Sequence, residues 1–160
     1  MRVRHKIRRW KIEAPEAHLA RRAIRHMQTL SLRCRPCVVA MQFRTLWNGW
    51  PTASRMRHLT GASEGRCVLG CHSALDRIEH YAVCPVAWKF LSDPQPAGMG
   101  IPLCFKSLAY FVGVGAGMDE NARIQLAKGV YAIARTINIC RSYEGTNPGP
   151  VFRLMAKQAR

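Results

Sequence analysis

Three cysteines and a histidine lie at the spacing of a metal site between positions 67 and 84 of this chain, in the order Cys67, Cys71, His80 and Cys84. The pattern is C-x3-C-x8-H-x3-C, and three thiolates with one imidazole suit a tetrahedral zinc ion. Gly70 can take the left-handed backbone of a tight turn, so both first thiolates can face one centre. His80 and Cys84 are four residues apart, which predicts a shared helical face. We therefore predict one closed, structural Zn²⁺ site, a CCHC knuckle.

An alternative interpretation of this segment is a set of ordinary buried thiols beside a surface histidine. His72 competes with His80 as a ligand, but it directly follows the second cysteine, where ligation by both neighbours would be strained. Ser73 and Asp76 have the spacing of a capping box that opens a helix. Asp76 or Glu79 could also support His80 by a hydrogen bond.

The other cysteines carry weaker signals. Cys34 and Cys37 have a two-residue gap, but no further ligands lie nearby, which favours cysteines at a helix junction over a second metal site. Cys104 and Cys140 lie in apolar stretches and are expected to be buried. The cysteine number is odd, seven in all, and the basic start lacks the apolar segment of a secretory signal. A reducing compartment, nuclear or cytoplasmic, is predicted, and a mitochondrial presequence is the less favoured alternative.

Charge is concentrated at the start of the chain. Residues 1–60 hold 14 of the 25 Lys and Arg but only two of the nine Asp and Glu, a net of +12 out of +16. Such an imbalance favours a polyanionic partner over a merely solvated face. Phosphate contacts are predicted for Arg8, Arg9, Arg21, Arg22, Arg25, Arg55 and Arg57. Trp10 is predicted to stack on an unpaired base.

The apolar pattern is mainly α-helical. Apolar residues recur at three- and four-residue spacing after Pro15, after Pro36 and after Asp119, which can cap the last long helix. We predict a small helical domain organised around one CCHC zinc knuckle. Its parts are a basic arm (1–14), a basic helical segment (15–66), the knuckle and following helix (67–92), a Pro/Gly linker (93–102), a C-terminal helical pair (103–142) and a basic tail (143–160). No apolar run approaches the roughly 20 residues of a membrane span, so no membrane partner is predicted.

Several segments together resemble a known family. They are residues 20–23 (ARRA), 43–52 (FRTLWNGWPT), 80–85 (HYAVCP) and 129–138 (GVYAIARTIN). They are similar to the region beyond the polymerase domain of non-LTR (LINE-type) retrotransposon reverse transcriptases, over roughly residues 15–142. The resemblance implies a zinc-binding element that grips template nucleic acid, and a chain that is a fragment or remnant of a larger polyprotein.

Carboxylates are too sparse for the chemistry of such a polymerase. The aspartates are Asp76, Asp93 and Asp119, and they are scattered, whereas two-metal phosphoryl transfer needs clustered carboxylates. Polymerase and nuclease activity are therefore predicted to be absent. The glycines of residues 113–117 precede a helix as a phosphate loop would, but Asp119 and Glu120 would repel phosphate there, which favours a plain turn.

These observations predict a non-catalytic, zinc-binding module that binds RNA or single-stranded DNA, with the remainder of a reverse transcriptase as a further partner. Two alternatives stay open. One is a zinc-stabilised protein-interaction module that docks through the apolar helices of residues 103–140. The other is a retroelement remnant without a function of its own.

Overall fold

The computed structural model describes residues 7–60, 65–71, 74–94, 98–143 and 145–160, with backbone alone for 57–60. The described chain is mainly helical, as predicted, and an isolated antiparallel bridge joins Arg66 to Leu75. The helices are α1 (Glu16–Arg33), α2 (Pro36–Leu46), α3 (Ala53–Thr60), α4 (Ile78–Tyr81), α5 (Pro85–Ser92), α6 (Leu108–Phe111), α7 (Glu120–Ser142) and α8 (Pro148–Gln158). None of the helices in these ranges has the length and apolarity that a membrane crossing requires.

Helix α7 is the packing centre of the fold. It contacts α1, α2, α5, α6 and α8. Its first turn is capped by Asp119, whose carboxylate accepts the Ala122 N–H at 2.8 Å, as the sequence predicted. Val130 and Ile133 are fully buried, and Gly129 permits a close approach, since a Cβ there would lie 2.5 Å from the Leu91 side chain of α5. The core therefore surrounds a helix that is buried on most of its faces.

The C-terminal residues form a packed helix, which corrects the predicted basic tail. The Asn147 side chain accepts the Gly149 N–H at 3.0 Å and begins α8, and Pro148 occupies its first turn. Phe152 is fully buried and stacks on Phe90 with ring centroids 5.0 Å apart. Apolar residues at positions 152, 155, 156 and 159 produce one buried stripe, a helical period within an otherwise basic segment.

The segment before α7 is less regular than predicted. The predicted C-terminal helical pair (103–142) begins not with a long helix but with a 3₁₀ turn at Leu103–Phe105 and then the single turn of α6. Leu103 is exposed, whereas Phe111 is fully buried. The preceding Pro/Gly stretch folds back on α5, since the Ile101 N–H donates to the Leu91 carbonyl at 2.9 Å. Residues 95–97 of that stretch lie outside the described chain.

Residues 7–10 form a helical turn that packs into the core. Ile7 and Trp10 are buried, and the Trp10 indole N–H donates to the Leu46 carbonyl of α2 at 2.9 Å. The prediction that Trp10 stacks on an unpaired base is therefore wrong, because a ring that is 4% exposed presents no free face. This part of the predicted basic arm is instead anchored to α2.

Candidate metal centre

The structure brings the four predicted zinc ligands to one point. The ligand atoms of Cys67, Cys71, His80 and Cys84 all lie within 4.8 Å of one another. The sulfurs of Cys67 and Cys84 are 3.9 Å apart, and the Cys71 sulfur lies 3.1 Å from His80 Nε2. A tetrahedral zinc ion, with Zn–S of about 2.3 Å and Zn–N of about 2.0 Å, would hold these atoms roughly 3.5–3.8 Å apart. Small shifts would therefore suffice to fit a metal ion.

A short turn presents the first two cysteines. Gly70 has φ of +84°, the left-handed conformation predicted for it, and its N–H donates to the Cys67 carbonyl at 3.2 Å. The Cys67 N–H donates in turn to the Ala74 carbonyl at 3.0 Å, next to the bridge between Arg66 and Leu75. Residues 72 and 73, and with them the competing ligand His72, lie outside the described chain.

The second pair of ligands does not share one helical face, which corrects the prediction. Helix α4 ends at Tyr81, and the chain turns before α5 begins. Cys84 is the N-cap residue of α5, with Pro85 in the first turn. Pro85 starts a new helix because its ring fixes φ and its missing N–H is not needed at the first position. His80 thus projects from the end of one helix and Cys84 from the start of the next.

The surroundings of Cys84 and His80 favour their metal-binding forms, whereas the hydrogen bond to Cys84 and burial raise the pKa of the Cys67 thiol. Cys67 and Cys84 are buried, while Cys71 and His80 are partly exposed. The hydrogen bond from Cys67 and the backbone N–H groups of Ala87 and Val86 hold the pKa of Cys84 below its ordinary value. Burial lowers the pKa of His80, which favours the neutral imidazole that binds metals.

Asp76 has a different role from either one predicted for it. Helix α4 begins at Ile78 with Arg77 as its N-cap residue and no side-chain cap, so Asp76 precedes the helix instead of standing in its first turn as a capping box requires. The Asp76 carboxylate accepts the Ala53 N–H at 2.7 Å and the Tyr81 hydroxyl at 2.6 Å. It also forms an ion pair with Arg141 of α7, with Nη2 to Oδ1 at 2.6 Å. Asp76 therefore ties the cysteine turn to α3, α4 and α7.

The remaining cysteines lie apart from this cluster. Among the described residues, the cluster of Cys67, Cys71, His80 and Cys84 is the group of three or more His, Cys, Asp and Glu residues close enough to hold a metal. Cys34 ends α1 and Cys37 lies in the first turn of α2, so they do lie at a helix junction. Cys104 is exposed, which makes its predicted burial wrong, and Cys140 is partly buried.

The predicted phosphate-binding arginines lie on several elements. Arg8 pairs with Glu16 at 2.6 Å, and the Arg9 guanidinium lies 5.6 Å from the centre of the Trp10 ring. Arg21, Arg22 and Arg25 lie on α1, and Arg55 is exposed on α3. The side chain of Arg57 lies outside the described chain. Arg22 and Arg25 share a pocket with Arg123 of α7, a residue that the sequence did not single out. Local spacing could not have identified Arg123, because about a hundred residues separate it from α1.

No family model matches the chain, and no curated protein or solved structure gives a match.

Proposed function

We propose that this chain is a non-catalytic module that is held together by one zinc ion and binds RNA or single-stranded DNA through phosphate contacts. The observation that carries the metal half is the convergence of three thiols and one imidazole at near-tetrahedral spacing. Zinc is the metal that this ligand set suits, and four protein ligands leave no position for a reacting water. The ion would therefore be structural, linking the turn of residues 67–71 to α4 and α5.

The zinc proposal is tested by elemental analysis of purified protein. One zinc ion per chain is expected, and Cys84→Ser should lose it because Cys84 is a buried ligand. Cys104→Ser is the matched control, since Cys104 is exposed and lies outside the cluster. Cobalt substitution gives a second measurement, because tetrahedral thiolate ligation produces strong visible absorption. A wild-type protein without zinc, whose helix content is unchanged by a chelator, would refute the proposal.

Unpaired positive charge supports the nucleic-acid half of the proposal. Arg21, Arg22, Arg25 and Arg55 have no ion pair with a carboxylate among the described residues. Several acids of the described chain are meanwhile occupied: Glu16 pairs with Arg8, Glu120 with Arg33, and Asp76 with Arg141. Such surplus cations release counterions on binding a phosphate backbone, so affinity should depend strongly on salt and weakly on base sequence.

A fluorescence anisotropy titration with labelled oligo-dT and a matching RNA tests this binding. If four phosphates are contacted, the slope of log K against log salt should be about −3, roughly a 50-fold loss of affinity between 50 and 200 mM. An affinity that does not change with salt would refute electrostatic binding. A comparison of the DNA and RNA strands would show which of the two is preferred.

A protein-interaction module is the second candidate, and an apolar groove favours it. The groove lies between α1 and α2 with a volume of about 390 Å³, and its lining includes Ile24, Phe43 and Trp47. Ile24 and Phe43 are each about half exposed, and Phe43 stacks on Trp47 at 4.4 Å. Elution of the protein as a dimer or complex, together with no binding of nucleic acid, would favour this candidate over the first. The groove lies between α1 and α2, whereas the sequence had placed the docking surface in residues 103–140.

We also propose that the chain has no catalytic activity and that it derives from a retroelement. The three aspartates occupy separate places: Asp76 is buried in its pair with Arg141, Asp119 caps α7, and Asp93 ends α5. That separation supports a role without two-metal chemistry. An open or decayed polymerase reading frame upstream of the coding sequence would support the proposed parentage, and a decayed one would favour a remnant without function. A nuclear or cytoplasmic location fits the proposed free thiols and zinc.

A further inference from the structure

A polar pocket lies where α1 passes the start of α7. Its volume is about 410 Å³, enough for a phosphate group and part of the molecule that carries it. The lining residues are Arg22, Arg25, His26, Thr29, Ala116, Gly117, Glu120 and Arg123. Three arginines against one glutamate make this concave surface strongly positive, and concave walls of low dielectric focus such a field.

The arginines of this pocket have no described acidic partner to neutralise them. Neither Arg22 nor Arg25 forms an ion pair with another described residue. The Arg123 Nε–H donates to the Met118 carbonyl at 2.9 Å, which fixes the guanidinium and leaves its terminal N–H groups for a ligand. Glu120 is the acid in the lining, and it pairs with Arg33 at 3.2 Å. The local excess of charge therefore favours an anion.

A buried histidine with an unpartnered ring nitrogen lies in the same wall. His26 is 5% exposed, and its Nδ1 has no hydrogen-bond partner among the described residues. Burial, together with the nearby charge of Arg123, lowers the pKa of His26 to about 4, so the ring is neutral at pH 7. A neutral imidazole can donate an N–H bond to an anion, while the arginines supply the charge.

We propose that this pocket binds a phosphate group, and that the phosphate is one of the bound nucleic-acid strand. Arg22, Arg25 and Arg123 would contact its oxygens as forked, charge-assisted donors, with the Thr29 hydroxyl beside them. The identification of the ligand as a nucleic-acid phosphate rests on the proposed function, whereas the inference that the pocket binds an anion rests on the pocket alone. The sequence favours a plain turn for the glycines of residues 113–117. Gly117 lies in the pocket wall, but side chains rather than the loop backbone are the proposed phosphate donors.

The test compares Arg123→Gln and Arg25→Gln with Arg153→Gln in the full chain loaded with zinc. Arg153 is exposed on α8 outside the pocket, so it controls for the loss of one positive charge. The first readout is anisotropy with labelled oligo-dT. Each pocket variant should weaken binding roughly tenfold, the worth of one charge-assisted hydrogen bond. Each should also reduce the magnitude of the salt slope by about 0.7, the contribution of one single-strand phosphate. The control should change affinity less than twofold.

The second readout is the NMR shift of the Arg123 Nε–H and the His26 ring on titration with inorganic phosphate. Saturable shifts in the wild type that Arg25→Gln abolishes are expected. Arg25 is exposed, so this variant should keep its thermal unfolding midpoint even if Arg123→Gln does not. Saturable shifts in a wild type that binds no strand would refute the nucleic-acid function and assign the pocket to a small phosphorylated molecule. If all three variants weaken strand binding equally, the pocket is not a phosphate-binding site, whereas the proposed nucleic-acid function still holds. No shift with phosphate and no difference between variants would overturn the pocket as well.

Discussion

Replacing Asp76 by alanine should destabilise the protein more than any exposed ion-pair substitution. The Asp76 side chain is 1% exposed and Arg141 is 21% exposed, and the two are joined by Nη2 to Oδ1 at 2.6 Å and Nε to Oδ2 at 3.1 Å. The same carboxylate accepts the Tyr81 hydroxyl and the Ala53 N–H. One substitution therefore removes the partner of a largely buried cation and of two further donors.

The expected loss is about 4 kcal/mol of unfolding free energy. Removing one partner of a buried ion pair costs about 3–5 kcal/mol. Because water reaches the partly exposed Arg141, we take the lower end of that range, about 3 kcal/mol. The Tyr81 hydroxyl, left buried without an acceptor, adds about 1 kcal/mol. With an unfolding entropy of about 2.1 cal/mol/K per residue, 4 kcal/mol lowers the Tm of this chain by about 12 °C. Asp76→Asn keeps one carbonyl acceptor and should lose about half as much.

Thermal unfolding followed by circular dichroism, with zinc content measured for each variant, provides the assay. Arg33→Gln is the matched control, because it breaks an Arg–carboxylate pair whose side chains are 58% and 56% exposed. That pair should contribute less than about 1 kcal/mol. If Asp76→Ala lowers the Tm no more than Arg33→Gln does, the buried pair contributes no net stability and the reasoning is refuted.

Three further predictions follow from the fold. Zinc removal by a chelator, followed by circular dichroism, should melt the region around α4 and α5, because structural zinc supplies about 10 kcal/mol or more in small knuckles. Helix signal that survives complete zinc loss would contradict this. Lowering the pH from about 6.5 to about 4 should cost about 3 kcal/mol, because the unfolded state protonates His26 before the folded state does. Urea titrations of the wild type and His26→Gln across this range should converge as the pH falls, and parallel curves would refute it. Phe152→Ala should cost about 3–5 kcal/mol in urea unfolding, since Phe152 of α8 is fully buried and stacks on Phe90 of α5. A loss below 1 kcal/mol would indicate that α8 is frayed.

Much of the local structure could be predicted because its causes lie within a few residues. The Asp119 cap, the proline at the start of α2 and the left-handed Gly70 each depend on the backbone of their own turn. The cysteine and histidine spacing likewise restricts the metal cluster, since short segments cannot carry the ligands far apart. The local prediction was wrong at Cys84. The spacing of His80 and Cys84 implied that they share one helical face, but Pro85 starts a new helix directly after Cys84.

Burial and long-range pairing, by contrast, depend on how the helices pack. Charge density indicated an exposed N-terminal arm, but Trp10 lies in the core, because an indole buries a large apolar area while its N–H donates to the Leu46 carbonyl. The partners Asp76 and Arg141 are 65 residues apart, and Arg22 lines the same pocket as Arg123, about a hundred residues further along the chain. The sequence alone determined that this protein carries a surplus of positive charge and a set of cysteine and histidine residues with the spacing of metal ligands. Only the tertiary structure decided which charges are paired and which face a common pocket, because that depends on distances between helices that no local pattern encodes.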